Sequence, residues 1–78
     1  MGGVSKPRPC YLDKLKKSHV YGTRQVYVDP EENIYYTWDS LHGEIEVFNC
    51  RGIHLGVIDA VNGDFIKPPV RGRRIDLK

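Results

Sequence analysis

The sequence predicts a mainly β fold of the α+β class, a small antiparallel sheet of four to five strands with a short N-terminal helix. Three observations point there. Short runs of aromatic and β-branched residues recur about every ten residues from Arg24 onward. Clusters of Gly, Pro, Asn and Asp separate them, and apolar residues at helical spacing occur only before them.

In chain order, residues 1–9 carry Gly2, Gly3, Pro7 and Pro9, a composition that predicts a flexible arm. "CYLDKLKKSHVYG" spaces Leu12, Leu15 and His19 as one face of a short helix ending at Gly22. "RQVYV" then alternates, and "DPEEN" is a turn with Pro30 preset for it. "IYYTWDS", "IEVFN", "IHLGVID" and "DFIKPPV" read as further strands, the last two separated by the turn signal Asn62-Gly63. Pro68 and Pro69 end the last strand or put it at an edge. Connections this short imply a meander. The reading is one domain overall, with arm and helix over 1–23 and the β domain over 24–78.

The chain has 78 residues, 40% of them hydrophobic and 28% charged, which describes one small globular domain. No apolar run approaches the roughly 20 residues of a membrane helix, and "MGGVSKPRPC" lacks the apolar stretch of a secretory signal. Gly2 suggests myristoylation, but serine stands at position 5 where that motif needs position 6. Cys10 and Cys50 show no paired spacing and read as free thiols, one in the arm and one on a strand. Neither they nor the three histidines have the spacing of a zinc site, so no metal and no cofactor is expected. Net charge is +2, but nearly all the Lys and Arg lie in "KPRPCYLDKLKK" and "KPPVRGRRIDLK". Basic ends around an acidic centre suit a polyanion gripped at the periphery, with Lys67 and Arg71 among its contacts.

That acidic centre is "TWDSLHGEIEV". If Leu41 and His42 form a hairpin loop closed by Ser40 and Gly43, Asp39 faces Glu44, Trp38 faces Ile45, Thr37 faces Glu46 and Tyr36 faces Val47. One surface then collects Ile34, Tyr36, Trp38, Ile45 and Val47. The other collects Tyr35, Thr37, Asp39, Glu44, Glu46 and Phe48, with His42 beside it. A slip by one residue would mix the two sets. Two readings of the acids stay open here: a solvated turn neutralised by C-terminal arginines, or a proton-transfer site in which clustered carboxylates tune one another and the histidine. RNA cleavage without a metal needs a base for the 2′-OH, an acid for the leaving 5′ oxygen and a cation on the phosphorane. A carboxylate, a histidinium and an arginine meet those needs, and Tyr35 and Phe48 on the same surface suit base stacking.

"YTWDSLHGEIEVF", "GIHLG", "NGDFIK" and "RRI", in that order, resemble the cytotoxic ribonuclease domain of the rRNA-cleaving colicins and cloacin. The resemblance runs from about Gln25 to Leu77, with one single-residue deletion near Cys50. It implies a highly twisted antiparallel sheet, a short N-terminal helix, and a metal-independent endonuclease that cuts 16S rRNA in the decoding A site. Its catalytic positions fall on Asp39, His42, Glu46 and Arg73, with Glu44 supporting. On that basis Glu46 is the expected base, His42 the acid, Asp39 its orienting partner and Arg73 the phosphorane ligand. Arg74 stands beside Arg73 and is able to exchange roles with it. Tyr36 and Trp38 belong to the core. His54 is read as structural or RNA-facing and non-catalytic, and His19 has no assigned role.

The resemblance also implies partners: the ribosome with its 16S rRNA, and an acidic immunity protein or antitoxin forming a 1:1 complex with an otherwise monomeric protein. The expected site of action is the bacterial cytoplasm, whether the chain stands alone or is the tail of a larger, delivered toxin. A non-catalytic ribosome-binding module and a nuclease on another RNA, such as tRNA, are the alternatives.

Overall fold

The computed structural model describes residues 3–77, so Met1, Gly2 with its lipidation question, and Lys78 lie outside the described residues. Six strands follow one another as neighbours in one antiparallel sheet: β1 (Lys16–Tyr21), β2 (Arg24–Asp29), β3 (Ile34–Asp39), β4 (Glu44–Phe48), β5 (His54–Ile58) and β6 (Phe65–Lys67). The expected meander is there, with one strand more than the upper expectation of five.

The extra strand is β1, where the sequence suggested helix. Only Tyr11–Lys14 turn as a 3-10 helix, which buries Leu12, and the chain then extends to pair with β2. The helical spacing misleads because β1 is an edge strand whose residues are almost all exposed, so it carries no burial alternation to read. Tyr21 pairs with Arg24 across a two-residue loop whose first residue, Gly22, takes a φ of 65°. Residues 10–23 therefore share the sheet and core of the rest. Nor do residues 3–9 hang free as the arm was expected to. Val4 N–H donates to Ser40 O, Val4 O accepts from Trp38 Nε1, and Lys6 Nζ donates to the Tyr27 hydroxyl.

Three of the hairpin turns share one design. In Asp29–Asn33, Asp39–Gly43 and Asp59–Gly63, the fifth residue donates its N–H to the aspartate carbonyl and has a positive φ. One carboxylate oxygen of each aspartate accepts the N–H groups of the third and fourth residues. An aspartate starts such a turn because its short side chain reaches those two amides, and Gly or Asn ends it because both tolerate the left-handed region.

The β3–β4 register is the one the alternation required: Asp39 with Glu44, Trp38 with Ile45, Thr37 with Glu46, Tyr36 with Val47. Its loop spans four residues, 40–43, rather than the two expected. Tyr36, Ile45 and Val47 join Cys10, Leu12, Tyr27, Ile58 and Ala60 in the main core, with Ile34 and Trp38 packed against it. On the opposite surface Val26, Phe48 and Ile75 form a smaller cluster, because the C-terminal tail folds back over the sheet. The tail is held by Ile75 N–H to Gly52 O, by an Ile53–Arg74 bridge and by a contact between His19 Nε2 and Asp76 O. A side chain on Gly52 would meet the Ile75 carbonyl, so this close approach requires glycine. Cys10 is a free thiol buried in the main core rather than lying in an arm, and Cys50 is a free thiol exposed in a turn rather than on a strand.

Candidate active site

Because β3 and β4 pair in this register, Thr37, Asp39, Glu44 and Glu46 all project from the face opposite the main core, and the C-terminal tail roofs part of it. Between them lies an open cleft of about 650 Å³, lined also by His42, Lys67, Arg73, Arg74 and the β1–β2 loop with Arg24. The sheet supplies the acids, the β3–β4 turn the histidine, and the tail the cations.

Two clusters occupy the cleft. In the first, Asp39 is buried and its two oxygens are used separately. Oδ1 accepts the Leu41 and His42 N–H groups, which fixes the turn. Oδ2 lies 2.8 Å from His42 Nδ1. A carboxylate only accepts, so Nδ1 carries the proton and Nε2 is directed elsewhere. The imidazole is 55% exposed, and Nε2 makes no hydrogen bond among the described residues. Burial pushes the Asp39 carboxyl up, but the hydrogen bonds from the His42 side chain and from the His42 and Leu41 amides outweigh it and hold Asp39 below its ordinary value. Arg24 Nη2 stands 3.9 Å from Oδ1, a distant ion pair.

The second cluster centres on Glu46, itself only 5% exposed. Arg73 Nη1 donates to both its oxygens, at 3.0 and 3.3 Å, while the Arg73 side chain remains 45% exposed. His54 Nε2 lies 2.8 Å from Glu46 Oε1, displaced from the hydrogen-bond line. The other ring nitrogen of His54, Nδ1, accepts the Val70 N–H, so it holds no proton and the ring is a neutral imidazole with its hydrogen on Nε2, toward the carboxylate. A buried carboxylate flanked by a guanidinium and an imidazole N–H has its charge compensated without losing access to the cleft.

The structure brings Asp39, His42, Glu44, Glu46, Arg73, Arg74 and Lys67 to one cleft. Lys67 is occupied by Glu44, at 2.9 Å, so in this state it balances an acid rather than presenting a bare cation. Arg71 is exposed in the tail and is not among the cleft-lining residues. The expected stacking pair does not form a stacking surface. Phe48 is 2% exposed under Ile75 and edge-on to the His54 ring, and half-buried Tyr35 packs against the same cluster. The alternation placed both on the polar face correctly, but it had no information that the tail covers that end of the face.

His54 is the residue whose importance the sequence understated, since a lone polar residue between Ile53 and Leu55 gives no sign of touching Glu46. Asp39, His42 and Glu44 place donor atoms within 4.8 Å of one another, close enough to share a cation. Their donors already have protein partners, however: Asp39 with His42 and Glu44 with Lys67.

The family model named Cytotoxic matches residues 10–76, starting within the segment that the sheet and core absorb ahead of β2. No curated protein matches the chain. A match over this span, with the acids, histidine and arginine gathered in one cleft, makes the chain a member of the colicin-like cytotoxic domain family of 16S rRNase toxins and thus a toxin nuclease of the colicin type.

Proposed function

We propose that the protein is a metal-independent endoribonuclease that cuts 16S rRNA in the decoding A site and thereby stops translation. The observation that carries this is the pairing inside the cleft: Asp39 with His42 on one side, Glu46 with Arg73 on the other. In the proposed reaction Glu46 takes the 2′-OH proton as that oxygen attacks phosphorus. The P–O5′ bond breaks, and the leaving oxygen takes a proton from His42 Nε2, giving a 2′,3′-cyclic phosphate and a 5′-OH end. Asp39 holds the imidazole by Nδ1, which leaves Nε2 to face the leaving oxygen. Arg73 turns its remaining N–H groups to the phosphorane oxygens, where the growing charge strengthens the contact. His54 positions Glu46. Glu44 and Lys67 neutralise each other beside His42, and Arg74 is a second cation at the same rim.

A nuclease of this kind acts in the bacterial cytoplasm, after delivery where it belongs to a larger toxin, and needs an acidic immunity protein or antitoxin to spare its producer. The basic segments at both ends favour a 1:1 complex whose affinity falls with salt. Purified ribosomes test the central claim. The wild type should release a short 3′ fragment of 16S rRNA in the presence of EDTA, and Glu46→Gln and His42→Ala should not. Arrested translation with intact rRNA would instead make the protein a binding module, and a cut in tRNA would relocate the substrate.

A further inference from the structure

The active cleft does not end at Arg74. A second groove of about 540 Å³ continues from it, and Tyr21, Arg74 and Ile75 line both. Beyond that shared ridge it reaches Cys50, Arg51, Asp76 and Leu77. We propose that this groove is a subsite for the nucleotide flanking the scissile linkage, with Tyr21 as the platform for its base and Arg51 and Arg74 as clamps on its phosphate. This rests on the endoribonuclease reading above.

Three features support it. The side chains of Tyr21, Arg51 and Arg74 make no hydrogen bond or ion pair among the described residues, and Tyr21 is 43% exposed. The backbone carrying the arginines is braced: Asn49 Oδ1 accepts the Arg51 and Ile53 N–H groups, Gly52 N–H bonds Asn49 O, and Gly52 O takes the tail at Ile75. Such bracing fixes the backbone from which both guanidiniums reach, so binding has only their side chains left to order. An aromatic side chain sharing a groove with two cations, continuous with the proposed site for a phosphodiester, also matches how single-stranded nucleic acid is held. Among the described residues Asp76 is the one carboxylate that lines the groove, beside the two arginines. Phe48 is buried and half-buried Tyr35 packs against the same cluster, which leaves the stacking role to Tyr21 at the edge of the sheet.

The test measures affinity for a synthetic RNA carrying the 16S decoding-site sequence with single-stranded flanks, using the full chain with His42→Ala to prevent turnover. Adding Arg51→Gln should weaken binding roughly fivefold and reduce the slope of log affinity against log salt by about 0.7, the value for one phosphate contact on a single strand. Arg51→Lys should keep the slope. Tyr21→Ala should weaken binding about tenfold, as loss of one stacked base does, and Tyr21→Phe should not. If the wild type cuts the RNA while Arg51→Gln retains both affinity and slope, the subsite is wrong and the nuclease reading stands. Should Arg51→Gln weaken only an acidic inhibitor protein, the groove is a protein-docking face and the proposal fails. A wild type that neither binds nor cuts RNA removes both readings together.

Discussion

The turns Asp39–Gly43 and Asp59–Gly63 are built alike, each with an aspartate oxygen gathering two amides and a glycine of positive φ closing the loop. They differ at the fourth residue and in their surroundings. His42 turns its Nδ1 onto the second oxygen of Asp39, which is buried at the floor of the cleft. Asn62 stands at the matching place beside the more exposed Asp59, whose carboxyl is held low by the Asn62 and Val61 amides. One turn is therefore structural, and the other presents an imidazole to the cleft from the same backbone. The side chains between the aspartate and the glycine and the burial of the aspartate separate them, because the backbone that fixes the aspartate is common to both.

The largest expected contrast is in activity. His42→Ala should lower cleavage by about a hundredfold to ten-thousandfold, the usual worth of a general acid, whereas Asn62→Ala should leave it within about twofold. Equal losses would show that both turns act only through stability. Next come the aspartates. Asp39→Asn releases the imidazole and should reduce cleavage roughly a hundredfold, while Asp59→Asn should leave the rate unchanged, as single-turnover assays would show.

Stability should reverse the ranking at the glycines. A Cβ on Gly63 would fall 2.5 Å from the Tyr11 ring, and one on Gly43 would meet the Val4 side chain at 3.0 Å. Both alanines carry the left-handed penalty of about 1–2 kcal/mol, but Gly63→Ala must also move an aromatic ring. Denaturant melts should rank it as the more damaging, and Gly43→Ala as the one that also slows cleavage by tilting His42.

The smallest contrast is in acid. The folded state holds both carboxyls below the ordinary aspartate value, so each contributes stability that is complete above that value and disappears as pH falls through the folded one. Asparagine at either position should flatten the acid limb of the stability profile. The effect should be larger at Asp39, which is buried and also loses its hydrogen bond from His42. An unchanged limb in both would mean the turns do not rely on ionised carboxylates.

The β3–β4 hairpin was legible in the sequence because its alternation allows one register, and that register carries Asp39, Glu44 and Glu46 to one face. The three turns of one design were legible too, as aspartate followed four residues later by Asn or Gly in "DPEEN", "DSLHG" and "DAVNG", though the repeat is easily passed over when each turn is read alone. What could not be read depends on long-range contacts. β1 has no buried face of its own. Phe48 is covered by Ile75, and His54 meets Glu46 only because the pairing shifts by one residue between Val47 and Phe48.

The division of labour between the two clusters is most directly tested with an RNA whose leaving 5′ oxygen is replaced by sulfur, a group that departs without taking a proton. His42→Ala should cut this substrate nearly as fast as the wild type, while Glu46→Gln should stay inactive. Rescue of Glu46→Gln, with His42→Ala still inactive, would contradict that division.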